Sequence, residues 1–143
     1  MSKVSERLVE LILERNLTSK KTAELLQIKH ANMNRFLRGD RTPNFDSFVK
    51  MLYFFNCSAD YLLGLKDIPT DEPLHSVLPF QERLRTVMKE CNISQNKMIK
   101  EMPLSSGTLY KWISGKSKPN ADSLVRIAAF LECSVDYLIG RVR

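Results

Sequence analysis

Leu8, Leu11 and Ile12 fall at i, i+3 and i+4, a spacing that puts all three on one face of a helix. Leu84, Val87 and Met88 repeat it later in the chain, so a first helix with one buried face is predicted twice. Thr18 and Ser94 are good N-cap residues for a short second helix, running through Leu25 and Leu26 in one place and Met98 to Met102 in the other. A third helix is predicted from His30 to Arg38 and from Ser106 to Ser114. Each ends at a glycine, Gly39 or Gly115, the residue type suited to a left-handed C-terminal position. Asn44 and Asn120 cap a fourth helix, with Asp46 and Asp122 in its favourable first turn. Ser58 and Ser134 cap a short fifth helix that ends near Gly64 and Gly140. No stretch alternates as a strand would, and the pattern predicts an all-α chain.

The doubling has a fixed period of 76 residues. That shift carries Glu6-Arg7-Leu8 onto Glu82-Arg83-Leu84, Pro43-Asn44 onto Pro119-Asn120, and Asp46-Ser47 onto Asp122-Ser123. It also carries Cys57-Ser58 onto Cys133-Ser134 and Asp60-Tyr61-Leu62 onto Asp136-Tyr137-Leu138, with no gap. Between the copies, Leu65 to Pro79 holds Pro69, Pro73 and Pro79 among Asp67, Asp71 and Glu72, a composition that resists helix and sheet alike. The expected organisation is therefore two tandem five-helix domains, residues 1–66 and 80–143, joined by a linker at 67–79. Two copies, each long enough to close a core, indicate domain duplication and not a solenoid.

Domains of this size bury only about 60% of their unfolded surface and leave little room for a deep catalytic pocket. The chain contains no GxxxxGK[ST], GxSxG or HExxH, so no enzyme is expected. Cys57, Cys91 and Cys133 form no CxxC pair, and only His30 and His75 are available as nitrogen ligands. Buried reduced thiols are expected, with neither metal nor cofactor. Glu6, Arg7 and Glu10 stand where a signal peptide would be apolar, and no uncharged run approaches the ~20 residues of a membrane span. A soluble cytoplasmic protein is expected. The net charge of +6 favours polyanionic partners and is uneven. Residues 1–75 carry 11 basic and 10 acidic side chains, against 11 and 6 in residues 76–143.

The pattern resembles the lambda-repressor and Cro-like (XRE) family of helix-turn-helix DNA-binding domains. The residues that carry the likeness are Arg7-Leu8, Leu17-Thr18-Ser19, Ala23, Leu26, Ile28, Phe36 to Gly39, Pro43 and Cys57 to Gly64 in the first copy. In the second they are Arg83-Leu84, Ile93-Ser94-Gln95, Leu104-Ser105, Trp112 to Gly115, Pro119 and Cys133 to Gly140. The resemblance implies a sequence-specific transcriptional regulator of the repressor kind whose partner is double-stranded DNA. In it helix 2 braces the backbone and the N-terminal half of helix 3 enters the major groove.

By this resemblance His30, Ala31, Asn32, Asn34 and Arg35 face the bases in the first copy, and Ser106, Gly107, Thr108, Tyr110 and Lys111 in the second. Asn pairs bidentately with adenine and Arg with guanine, while the second set offers hydroxyls and one cation, so the heads should prefer different sequences. Phosphate contacts are implied for Ser19, Arg38, Arg41 and Asn44, and for Gln95, Ser114, Lys116, Lys118 and Asn120. Phe36 and Trp112 fall on the inward face and are expected in the core. The two heads are expected to read a bipartite site, since 15 residues from Leu65 to Pro79 reach about 50 Å against a half-site separation of about 34 Å. The orientation of the half-sites stays open.

Two positions depart from the family. Gln27 and Pro103 stand where many members place Gly in the turn between helices 2 and 3, and Ile99 replaces the small Ala23. Pro103 implies a different turn geometry in the second copy, because its φ is held near −65°. A competing expectation is a protein-interaction or antitoxin-type regulator, in which one domain serves a homodimer or another protein partner. Phe45, Phe48, Tyr53, Phe54 and Phe55 span more of helix 4 than one core face requires, and exposed aromatic surface there would favour it.

Overall fold

The computed structural model describes residues 3–70 and 72–142; Asp71 of the expected linker and Arg143 at the end of the second expected domain lie outside them. The described residues are all-helical, with ten helices and no strand. Two compact units divide the chain between Glu72 and Pro73.

The first unit contains α1 (Lys3–Glu14), α2 (Ser19–Leu26), α3 (His30–Arg38), α4 (Phe45–Phe55) and α5 (Ala59–Leu62). Helix α1 buries Val4, Leu8, Leu11 and Ile12, α3 buries Met33 and Phe36, and α4 buries Phe48, Met51, Leu52 and Phe55, which together form the core of this unit. The helix starts are set by side-chain caps. Thr18 accepts from Lys21 N–H, Asn44 from Ser47 N–H and Ser58 from Tyr61 N–H, each satisfying a donor the helix cannot. Gly39, at φ +78°, turns the chain out of α3.

The second unit repeats this with α6 (Phe80–Glu90), α7 (Gln95–Glu101), α8 (Ser106–Ser114), α9 (Ala121–Phe130) and α10 (Val135–Leu138). Ser94, Asn120 and Ser134 cap α7, α9 and α10 as Thr18, Asn44 and Ser58 cap their counterparts. Leu84, Met98, Leu109, Leu124 and Leu138 form the centre of its core. In both units an arginine ties the first helix to the last. Arg7 lies 3.9 Å over the Tyr61 ring and donates to Lys66 O, while Arg83 lies 5.0 Å over the Tyr137 ring and donates to Tyr137 O at 2.7 Å. Tyr137 Oη in turn donates to Glu90, and that bond with its nearby carboxylate holds the phenol above its ordinary range.

The segment expected to be linker, 67–79, is not uniform. From Pro73 it belongs to the second unit, where His75 N–H donates to Arg141 O at 2.8 Å and Leu78 N–H to Ile139 O at 3.0 Å. Arg141, only 3% exposed, returns a bond from Nε to His75 O at 3.2 Å. Leu78 lies so close to Gly140 that a Cβ there would come within 2.7 Å of it.

Two other expectations change. Cys57 is buried, but Cys91 is exposed and Cys133 half-buried, because Cys91 sits past the end of α6, where its Sγ donates to Leu131 O at 3.5 Å. Of the helix-4 aromatics, Phe45, Phe48 and Phe55 are core and Phe54 packs edge-on against Phe55, which leaves Tyr53, 49% exposed, as the open ring. No helix among the described residues is long and apolar enough to cross a membrane.

Candidate nucleic-acid interface

In the second unit Leu109 and Trp112 root α8 in the core and so fix which side faces outward. That outer side presents Ser106, Gly107, Tyr110, Lys111 and Ser114, all exposed, with Thr108 half-buried. Ser105 caps the helix by accepting from Thr108 N–H at 3.0 Å, and the two hydroxyls lie 2.7 Å apart, so Thr108 shares its hydroxyl with the cap. Ser114 Oγ donates to Lys111 O. Lys116 and Lys118 follow in the exposed loop, and Lys116 Nζ stands 5.2 Å from the Tyr110 ring centroid, a cation over a π-face. Gln95 is exposed in the first turn of α7, and Asn120 is exposed while its side chain caps α9. From Leu104 to Asn120 there are three lysines and no carboxylate, so this stretch carries a net positive charge.

The first unit places α3 equivalently, rooted by Met33 and Phe36, but cross-links its polar groups. Ser19 Oγ donates to Asn34 Oδ1 at 2.6 Å, and Arg41 Nη1 donates to Asn32 Oδ1 at 3.4 Å. Arg38 Nε pairs with Asp40 Oδ2 at 3.1 Å, which partly neutralises a guanidinium expected at phosphate. Asn44 caps α4. His30, Ala31 and Arg35 are exposed on the outer side, and Asn32 and Asn34 are half-buried. Lys29 is not among the positions that the resemblance implies for DNA contact. It occupies the N-cap of α3, exposed and without a side-chain cap bond, where the repeat places the capping Ser105.

The turns before α3 and α8 differ in backbone conformation, as Pro103 implied. Gln27 takes the left-handed conformation, φ +56°, whereas α7 ends at Met102 with φ −97°. Both turns nevertheless close on the same bond, Ile28 N–H to Ala23 O at 2.9 Å and Leu104 N–H to Ile99 O at 3.2 Å. Gln27 N–H also donates to Glu24 O at 3.2 Å, a bond that Pro103, lacking an N–H, cannot repeat. An outward helix N-terminus with polar side chains, braced by a preceding helix and bordered by cations, suits insertion into the DNA major groove.

Comparison with known proteins agrees with that geometry. Residues 84–138 match the family model described as helix-turn-helix. The chain is similar to the HTH-type transcriptional regulator ImmR of Bacillus subtilis, 34% identical over 65 residues, 46% of this chain and 51% of that protein. It is also similar to the cryptic phage CTXphi transcriptional repressor RstR of Vibrio cholerae, 38% identical over 64 residues, 45% of this chain and 57% of that protein. A third relative, the HTH-type transcriptional activator BcrR of Enterococcus faecalis, is 31% identical over 63 residues, 44% of this chain and 31% of that protein. The chain thus spans about half the length of the first two relatives and less of the third. No solved structure matches it. Residues 84–138, which include α8, are thus a helix-turn-helix domain.

Proposed function

We propose that this chain is a transcriptional regulator, of the repressor kind, that binds double-stranded DNA through two helix-turn-helix heads, residues 1–66 and 80–143. The observation that carries the reading is α8: a helix rooted by Leu109 and Trp112 that presents Ser106, Thr108, Tyr110 and Lys111 beside Lys116 and Lys118, with no carboxylate among them. Extension to the first unit is supported by the repeated caps and by the matching turn bonds of Ile28 and Leu104. On this reading α3 and α8 each occupy a major groove, and a head bound over a promoter excludes polymerase by its bulk. Arg35 and Lys111 meet bases or adjacent phosphates, Ser19 orients Asn34, and Gln95, Arg41, Asn44, Asn120, Lys116 and Lys118 hold the backbone.

Selection of duplexes from a random pool by the full chain tests this. Two enriched half-sites are expected, one altered by Arg35→Ala and the other by Lys111→Ala. No enrichment at all would reject DNA reading.

A second reading, in which the first unit docks a protein partner or a second copy, is favoured by one observation. Leu13, Leu25 and Tyr53 are exposed in the first unit, and the equivalent positions of the second are Lys89, Glu101 and Ala129. A selected site that is indifferent to Arg35→Ala would support it.

A further inference from the structure

Gly107 is the one glycine of the five without a positive φ; it lies inside α8 with ordinary helical backbone. Glycine is less favourable in a helix than alanine, so α8 loses stability at a position whose conformation any residue could adopt. Packing gives no reason for it either. Apart from its chain neighbours and the helix backbone, a Cβ on Gly107 would meet only Ser105 Oγ, at 4.0 Å. The physical reason that remains for a bare position on an exposed helix face is the close approach of a ligand.

Tyr110 stands three residues on, on the same face, and helical side chains lean toward the N-terminus, so its ring borders the bare position. The ring is 55% exposed, and Lys116 Nζ, 5.2 Å from its centroid, holds it by a cation–π contact. No ring atom comes within 4 Å of the point where a Gly107 Cβ would stand, which leaves a notch between the two residues. The notch is apolar, with the Gly107 Cα as its floor and the aromatic ring as its wall. The Thr108 hydroxyl beside it lies 2.7 Å from Ser105 Oγ and is taken up with the helix cap. In the first unit the repeat places Ala31 and Asn34 at these two positions, a methyl and an amide, so the notch belongs to the second unit.

We propose that the second head recognises an A·T pair by the 5-methyl group of thymine, which seats in the notch between Gly107 and Tyr110. The proposal rests on the reading of α8 as a helix that enters the major groove. There thymine presents a methyl group, the one apolar mark among the four base edges. The bare Cα lets that methyl reach van der Waals distance, about 3.5 to 4 Å, and the Tyr110 ring shields it from water. Burial of one methyl changes affinity by about four-fold.

The test uses the full chain and the half-site that random-pool selection returns and Lys111→Ala assigns to the second head. Each thymine of that half-site is replaced in turn by deoxyuridine, which removes the methyl and leaves the pairing and the O4 acceptor in place. One replacement is expected to weaken binding by about four-fold. Gly107→Ala is expected to bind the thymine duplex more weakly and to lose the difference between thymine and deoxyuridine at that position. It should also raise the urea midpoint of the second unit, which replacement of a glycine required by the fold would not do. Tyr110→Phe is expected to keep the methyl preference and Tyr110→Ala to lose it. A half-site indifferent to every deoxyuridine, or a preference that survives both Gly107→Ala and Tyr110→Ala, overturns the proposal and leaves DNA reading by α8 standing. Loss of the preference in Tyr110→Phe overturns it in favour of reading by the phenol hydroxyl. A pool that returns no half-site dependent on Lys111 overturns both the proposal and the reading on which it rests.

Discussion

Ser19 Oγ donates to Asn34 Oδ1 at 2.6 Å, so α2 and α3 are joined by a polar bond at the outer surface. A serine at this position that met only phosphate would affect all DNA sequences alike. One that orients Asn34 would affect the choice of base. Ser19→Ala is expected to relax the half-site consensus at one position and to destabilise the first unit by about 0.5 to 1.5 kcal/mol. Urea unfolding and repeat selection measure the two effects, and an unchanged consensus with uniformly weaker binding would return Ser19 to a phosphate role.

Arg35 is exposed on α3, one residue before the buried Phe36, and carries a fork able to grip guanine. Arg35→Ala is expected to lose about 1 to 3 kcal/mol on the selected site and much less on unrelated duplexes. Equal losses on both kinds of DNA would mean that Arg35 meets the backbone instead.

Lys116 and Lys118 are exposed in the loop after α8, where the sequence from Leu104 to Asn120 holds no acidic residue, and Arg38 is paired with Asp40. Replacing both lysines with Ala is expected to weaken every duplex and to lower the salt slope by about 1.8, or about 0.9 for each phosphate contact. The corresponding loss for Arg38→Ala should be smaller, because that guanidinium already has a carboxylate partner. A salt titration across the three proteins decides whether the pairing matters.

The bounds of α3 and α8 were legible because each is fixed locally, by the glycine at its end and by the spacing of Met33 and Phe36 or Leu109 and Trp112. What was not legible depends on chain segments meeting in space. The strap from His75 to Leu78 is held by backbone bonds to Ile139 and Arg141, which leave no mark on side-chain periodicity, so its proline-flanked composition read as linker. The same holds for Ser19 and Asn34, fifteen residues apart, whose hydroxyl and amide each looked available to DNA. Lys29 could have been found by comparing the copies, since the repeat sets it against the capping Ser105.

Gln27 occupies a left-handed position, φ +56°, that a Cβ disfavours. Gln27→Gly is expected to stabilise the first unit by about 0.5 to 1 kcal/mol, the relief of strain exceeding the added freedom of the unfolded chain. Because the closing bond is made by Ile28, DNA affinity should remain unchanged. A fall in the unfolding midpoint would show that the Gln27 side chain contributes more than its backbone strain costs.

Lys29 is expected to set stability against binding. As the N-cap of α3 it makes no side-chain cap bond, and its charge lies at the positive end of the helix dipole, so both effects oppose folding. The repeat supplies a control in Ser105, which occupies the equivalent position and caps α8 through its hydroxyl. Lys29→Ser should therefore stabilise the first unit by about 1 kcal/mol, the usual worth of an N-cap, while it removes a cation beside the expected groove. Binding should weaken on all duplexes, and the salt slope should fall by about 0.9 if one phosphate contact is lost. Lys29→Ala separates the two effects, because it removes the charge without adding a cap. It should lose the same DNA affinity as Lys29→Ser and gain less stability. Should both variants bind DNA as the unmodified chain does, Lys29 is an ordinary surface lysine and the electrostatic footprint of the first head excludes it.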